Sequence, residues 1–251
     1  MVNERKGFVL LKLAIISDIH GNKDALNAVL IDIQKRGIET IYNLGDSLYG
    51  PLFPLETYEI ITRSNIQNIR GNCDRILLEK NDENSTVQYV QDLLQEDHKE
   101  WLSNLPFSIE TEDFYFCHGT PTSDEKYLLE EMSASGPLLK KTEEILKMVN
   151  GISQKVIFCA HTHIPRVVYL PNDKMVINPG SVGLPAYEDS SPIYHKMESG
   201  SSLANYTIVS KQIEEWIVEQ IHVPYNRDAA ILQSEKKGRK DWAIALKTGR
   251  I

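Results

Sequence analysis

Cysteine is scarce in this chain: the 251 residues contain three, Cys73, Cys117 and Cys159, and no two of them form a Cys-x-x-Cys pair. Neither a disulfide framework nor a thiolate zinc knuckle is indicated, and a reducing, cytoplasmic setting is expected. Positive charge is also in deficit, with 27 Lys and Arg against 35 Asp and Glu, a net charge of -8 and a pI near 5.4. No global field therefore draws in a nucleic-acid polymer or an anionic membrane, and a small substrate is favoured. The one basic cluster, Lys236-Lys237-Gly238-Arg239-Lys240, reads as a solvated helix turn and is given no function. Long hydrophobic runs are missing too, and none approaches the ~20 residues that span a bilayer. Glu4-Arg5-Lys6 followed by Gly7 to Leu11 loosely mimics a secretory leader, but Lys12 interrupts the run and no small-x-small cleavage site follows. Residues 1–10 are read as a short extension leading into the first strand. No internal repeat, low-complexity tract or long Pro/Gly/Ser linker divides residues 1–251, so one domain is expected.

What is present begins with an alternation of strand-like and helix-like segments. Leu13-Ala14-Ile15-Ile16 is a short continuous apolar run, as expected of a strand covered on both faces. Asp24 to Arg36 places Ala25, Leu26, Val29, Leu30 and Ile33 at helical spacing and ends at Gly37, a good C-cap. Thr40 to Leu44 reads as a second strand, Leu55 to Arg63 as a helix entered through Pro54, and Ile66 to Ile69 as a third strand. This β-α-β-α-β rhythm implies an α/β fold with a parallel sheet and right-handed crossovers. Residues 75–105 are predicted to form a helical insertion, followed by strands at Phe107 to Glu110 and Phe114 to Cys117. Pro137 to Val149 is predicted to be an amphipathic helix and Val156 to Cys159 a buried strand. Val167 to Tyr169 should pair with Met175 to Ile177 through Pro171-Asn172-Asp173. Two strands are expected between Asn205 and His222, and the tail from Asp228 to Lys247 reads as mostly helical.

Metal-ligand residue types stand where the apolar strands stop. Asp18 and His20 follow the first strand, Asp46 the second, Asn72 the third, His118 the run ending at Cys117, and His161 and His163 the run ending at Cys159. The carboxyl ends of parallel strands open onto one sheet edge, so these five segments are expected to converge there. Imidazole with carboxylate and amide oxygen suits Mn, Fe, Zn or Ni better than Ca or Mg. Two divalent ions are expected, manganese favoured, and Asp46 is the best carboxylate to bridge them. Water held between two such ions loses a proton near neutral pH and becomes a nucleophile, while the neutral Asn72 leaves the site with a positive excess that attracts a phosphoester. Asp46, Asn72 and His118 are thus the candidate catalytic residues.

These residues resemble the calcineurin-like metallophosphoesterases. That family's signature appears, in order and with similar spacing, as Asp18-Ile19-His20, Gly45-Asp46, Gly71-Asn72-Cys73-Asp74, His118-Gly119 and Ala160-His161-Thr162-His163. The resemblance implies that one metal takes Asp18, His20, Asp46 and His163 and the other Asp46, Asn72, His118 and His161. It also implies a four-layer α/β/β/α sandwich and hydrolysis of a phosphoester, with a phosphodiester favoured. Asn178 to Gly183 looks like the turn after the last ligands in small bacterial and archaeal members. His118-Gly119-Thr120-Pro121 and the terminal helix resemble a longer branch that includes dinucleoside polyphosphate hydrolases. The alternative is a non-catalytic metal-binding scaffold of the same fold, as in the retromer scaffold subunit.

Several residues carry two readings. Arg70 is a candidate substrate contact, with a strand-end salt bridge as its alternative. Asn22 is a second candidate contact, with an N-cap for the first helix as its alternative. His195, expected in a loop, is considered as a proton donor. Cys73 stands where the family commonly has a histidine, and a thiol is a poor acid for a leaving group. The insertion and the segment from Pro121 to Met132 each follow a ligand motif closely and are expected to flank the mouth of the site.

Overall fold

The computed structural model describes residues 11–80, 84–133, 136–213 and 215–251, so the proposed extension at 1–10 and residues 81–83 of the insertion lie outside the described residues. In chain order the first half runs β1 (Lys12–Ile16), α1 (Lys23–Lys35), β2 (Thr40–Asn43), α2 (Pro54–Arg63), β3 (Ile66–Asn68), α3 (Asn72–Ile76), α4 (Ser85–Leu93) and α5 (Glu96–Asn104). The second sheet region supplies β4 (Ser108–Glu110), β5 (Phe114–Cys117), β6 (Glu130–Ser133), β7 (Gly136–Leu139), α6 (Thr142–Met148), β8 (Val156–Phe158), β9 (Arg166–Leu170) and β10 (Lys174–Asn178). The chain closes with β11 (Ala186–Asp189), β12 (His195–Glu198), β13 (Ala204–Gln212), β14 (Glu215–Val223), α7 (Asp228–Lys236) and α8 (Lys240–Thr248).

Two five-stranded sheets result, one in the order β14-β13-β1-β2-β3 and the other β4-β5-β8-β10-β9. The three strands β1, β2 and β3 are parallel, as the alternation predicts. Alternate side chains of β1 explain the layering, because strand neighbours point to opposite faces. Ala14 and Ile16 pack with Ala25, Leu26 and Val29 of α1, whereas Leu13 and Ile15 meet Phe116, Phe158 and Ile177 of the second sheet. On that sheet's far side, Tyr115, Ile157 and Val176 pack with Ile145 of α6. The order helix, sheet, sheet, helix is the four-layer sandwich. Among the described residues, no helix is long and apolar enough to cross a membrane.

One predicted helix is too long. Residues 137–139 belong to β7, paired antiparallel with β6 through Met132 and Pro137, and α6 starts only at Thr142. Strand pairing satisfies that backbone before the helical spacing of Ile145 and Val149 takes over. The β11–β12 hairpin corrects the second expectation: His195 lies in β12, paired opposite Asp189, rather than in a loop.

Candidate metal centre

The backbone prepares the site before any side chain is considered. Asp18, His20, Asp46, His161 and His163 have φ of 53°, 52°, 55°, 71° and 58°, in the left-handed region that non-glycine residues seldom occupy. Each such residue costs roughly 1–3 kcal/mol, so surrounding contacts must hold it. The first two loops hold each other, with N–H bonds from Asp18 to Gly45 O (3.0 Å) and from His20 to Asp46 O (2.9 Å). Ala160 N–H donates to His118 O at 2.6 Å and joins the later pair of loops. The third loop is tied in by Asp74, a fully buried carboxylate that accepts N–H bonds from Asp46 (2.8 Å), Ser47 (2.9 Å) and Gly71 (3.0 Å). Burial, helped by the charge of Asp46, pushes the Asp74 carboxyl up to about 6. Its sequence signal is an acid in the first turn of α3; the positioning role needs the fold.

On this frame the ligand candidates form two groups. Donor atoms of Asp18, His20 and His163 lie within 4.8 Å of one another, and so do those of Asp46, His118 and His161. Asp46 faces both groups, its Oδ2 lying 3.4 Å from His118 Nε2 and 3.9 Å from His20 Nε2. Asn72 Oδ1 lies 2.9 Å from His118 Nε2.

The imidazoles are oriented by carbonyls behind them, the usual support of metal-binding histidines. Nδ1–H of His20, His118 and His163 donates to the carbonyls of Tyr49 (3.0 Å), Leu44 (2.7 Å) and Leu184 (2.6 Å), which turns each Nε2 inward. His161 is reversed: its Nε2–H donates to Glu125 O at 3.1 Å and leaves Nδ1 for the site.

The donor set fits cations. His20 Nε2 and His163 Nε2 face each other at 3.2 Å although both opposite nitrogens are committed to carbonyls, so two lone pairs converge. Both Asp18 carboxylate oxygens are buried without a hydrogen-bond partner, an expensive arrangement unless a cation is shared. Four imidazoles and two carboxylates match borderline divalent metals.

Electrostatics sharpen the picture. Burial works against ionisation of Asp46, but the charge of His118 outweighs it and holds the carboxyl far below its usual range. Burial lowers His118 as well, yet the Asp46 charge prevails and lifts the imidazole up to about 10. Burial first, with neighbouring imidazoles adding to it, pulls His20 and His161 down to about 4, in the neutral form that binds metal. At neutral pH a metal held by Asp46 and His118 would therefore compete with the His118 proton. Between pH 7 and 9, below that group's value, apparent metal affinity should rise by about tenfold per pH unit. Chelator competition measures this, and a flat profile would contradict it.

The centre opens into one cleft, and a second cleft adjoins it. One, of about 320 Å³, is lined by His20, Asp46, Tyr49, Asn84, Arg239 and Trp242. The other, of about 780 Å³, is lined by Lys126, Tyr127, Glu130, Met132 and Lys140. Asn72, His161 and Asp189 border both. Asn84 belongs to the predicted insertion, and Lys126 to Met132 belong to the segment after His118, so both expected flanking segments reach the mouth.

The other candidate residues fall elsewhere. Asn22 is fully buried, caps α1 by accepting from Ala25 N–H, and donates to Gly183 O at 2.9 Å and the Tyr225 hydroxyl at 3.1 Å. Its polar atoms serve the frame, so the substrate contact considered for it gives way to the capping role. Arg70 borders neither cleft; its backbone N–H donates to Pro106 O at 2.8 Å, and its Nε is buried without a hydrogen-bond partner. His195 is buried with its Nε2 3.0 Å from the Tyr127 hydroxyl, and the Tyr127 ring lies between it and His161. The Cys73 thiol is pushed well above its usual range by burial and the charge of Asp46. Arg239 and Trp242 escaped the sequence reading. The neighbouring lysines 236, 237 and 240 are exposed as expected, but Arg239 is half-buried and borders the cleft.

A family model described as the calcineurin-like phosphoesterase superfamily domain matches residues 11–200. An uncharacterized protein of Methanocaldococcus jannaschii is 28% identical over 257 residues, covering 92% of this chain and 94% of that one. The crystal structure of a metallophosphoesterase from Sphaerobacter thermophilus is similar with a TM-score of 0.75 at 23% identity, over 95% of this chain and 100% of that chain. A putative diadenosine tetraphosphatase is similar with a TM-score of 0.53 at 16% identity, over 83% and 93%. At these identities the two structures speak for a shared fold.

Proposed function

The chain belongs to the calcineurin-like phosphoesterase superfamily, and from that premise we propose that it hydrolyses a phosphodiester or a dinucleoside polyphosphate with two divalent ions, manganese foremost. The observation that carries this reading is the placement of Asp46 within one ligand group, with His118 and His161, and beside the other, 3.9 Å from His20. Divalent ions bound there would supply Lewis-acid activation of water and of the phosphoryl oxygens. The chain's own part is to hold them: the carbonyls of Tyr49, Leu44 and Leu184 fix three imidazoles, and Asp74 fixes the loop of Asp46. With Asp18 and Asp46 as the only carboxylates among the seven ligand candidates, two divalent ions keep a positive excess for an anionic substrate.

The diester preference rests on shape. Two clefts meet at Asn72, His161 and Asp189, which leaves room for a group on each side of a phosphoryl centre. A monoester would fill one side. The high-lying Cys73 thiol is a weak acid, which favours leaving groups that need little protonation. A net charge of -8 favours a small substrate over a polymer.

Manganese-loaded protein assayed on bis-p-nitrophenyl phosphate, p-nitrophenyl phosphate and diadenosine tetraphosphate tests the reading. Diester or polyphosphate hydrolysis should exceed monoester hydrolysis by about tenfold in kcat/KM, roughly 1.4 kcal/mol, and should stop with chelator and return with manganese. Monoester preference would refute the substrate class. Inactivity on all three, whatever the divalent ion, would refute the enzyme.

A further inference from the structure

The helices α7 and α8 lie beyond the matched family domain, which ends at residue 200, yet Arg239 and Trp242, at the start of α8, form part of the wall of the metal cleft. Ala230 of α7 and Trp242 and Leu246 of α8 bury their apolar faces with Leu52, from the loop carrying Asp46, and with Leu184, whose carbonyl accepts from His163. Trp242 stands edge-on to His20 with ring centroids 5.7 Å apart, and its Cη2 would lie 2.6 Å from a Cβ at Gly50. The helix pair is thereby locked against the centre.

Arg239 precedes α8 and lies over the Trp242 ring at 5.3 Å. Its Nη1 donates to Thr86 Oγ1 of α4 at 2.6 Å, and its Nε and Nη2 donate to Asp241 at 3.0 and 2.5 Å. A guanidinium carries five N–H donors. These bonds engage one on each nitrogen, and even with the nearby Tyr49 hydroxyl counted as a fourth partner, at least one remains for a ligand. Among the described residues lining the 320 Å³ cleft, Arg239 is the one lysine or arginine. It is held at a fixed angle by Thr86 of α4 and by Asp241 in the first turn of α8, and is set back from His20 by the indole.

We propose that Arg239 is a substrate-binding residue that grips a second phosphate, not the one hydrolysed, so that the preferred substrate contains a phosphoanhydride chain. The inference rests on the phosphoesterase reading. A phosphoryl group among the ligands has its charge met there, whereas a group beyond the Trp242 ring meets a guanidinium whose remaining N–H can make a charge-assisted bond to a phosphate oxygen. Asp241 and Thr86 keep the guanidinium from collapsing onto the acidic ligands.

The test is calorimetric binding of methylenebisphosphonate and of methylphosphonate to manganese-loaded wild type, R239Q and R239K, with manganese content and Tm recorded for each. Wild type should bind the bisphosphonate more tightly. R239Q should weaken the bisphosphonate by about tenfold or more, the scale of one charge-assisted contact, leave methylphosphonate within about twofold, and keep its manganese; R239K should fall between. Equal losses for both ligands, or no loss for either, would overturn the proposal. The two readings fail separately. A wild type that hydrolyses no phosphoester but shows the selective loss refutes the enzyme and supports the second-phosphate contact, while an active wild type without that loss refutes the contact alone.

Discussion

Replacing Asp46 with asparagine is expected to leave the protein folded, remove at least one manganese ion per chain and slow diester hydrolysis by about a thousandfold or more, roughly 4 kcal/mol in the barrier. Folding should survive for two local reasons. Position 46 has φ 55°, a left-handed conformation that asparagine tolerates better than most residues. Its Oδ1 accepts the Cys73 N–H at 2.8 Å, and an amide oxygen can accept the same bond. What asparagine cannot supply is a charged Oδ2 facing His118 at 3.4 Å and His20 at 3.9 Å. A neutral amide is a weaker ligand and cannot join two cations through a shared negative charge. Elemental analysis with steady-state kinetics checks this. A variant that keeps both ions and stays within tenfold of wild type would remove the bridging role.

A single methyl group added at Gly71 should be almost as damaging. Gly71 has φ -89° and ψ 174°, a backbone open to any residue, so space alone decides the outcome. A Cβ there would lie 2.1 Å from Asp46 Oδ1 and 2.6 Å from Asp46 N. Gly45 repeats the closeness from the opposite side, since its Cβ would lie 2.3 Å from Gly71 N. For Gly71 the obstacles are the Asp46 backbone, which Asp74 pins in place, and the Asp46 carboxylate, which is buried and tied to the Cys73 N–H, so neither can yield freely. Gly71→Ala should destabilise the fold by about 1–3 kcal/mol, the usual cost of overpacking, and push the loops of Asp46 and Asn72 apart. Activity should fall by about a hundredfold, given how steeply catalysis depends on sub-ångström placement. Denaturant unfolding and metal content provide the check. Wild-type stability with full metal content would show that the loops have slack.

Much of the frame was legible because local signals agreed with the final packing. The run from Leu13 to Ile16 needed no alternation, since helix α1 covers one face and the second sheet the other. Capping at Asn22, the break at Gly37 and the entry through Pro54 marked α1 and α2. The site residues stood out because each ends an apolar strand; their left-handed backbone and the carbonyls behind their rings were invisible. The layering came from family resemblance, because helical and strand periodicity cannot say which sheet faces which. The hairpins β6–β7 and β11–β12 were missed for a physical reason. They are short, and pairing and tertiary contact outweigh weak local preference there. Arg239 was hidden by distance: 193 residues separate it from Asp46 in sequence (239 − 46), yet both line one cleft.

Anomalous-difference scattering from manganese-soaked crystals tests the two-metal claim most directly. Two peaks are predicted, about 3.5 to 4 Å apart as in other binuclear sites. One should contact Asp18, His20 and His163, the other Asn72, His118 and His161, with Asp46 touching both. A single peak, a pair that Asp46 does not join, or no peak at full manganese saturation would contradict it.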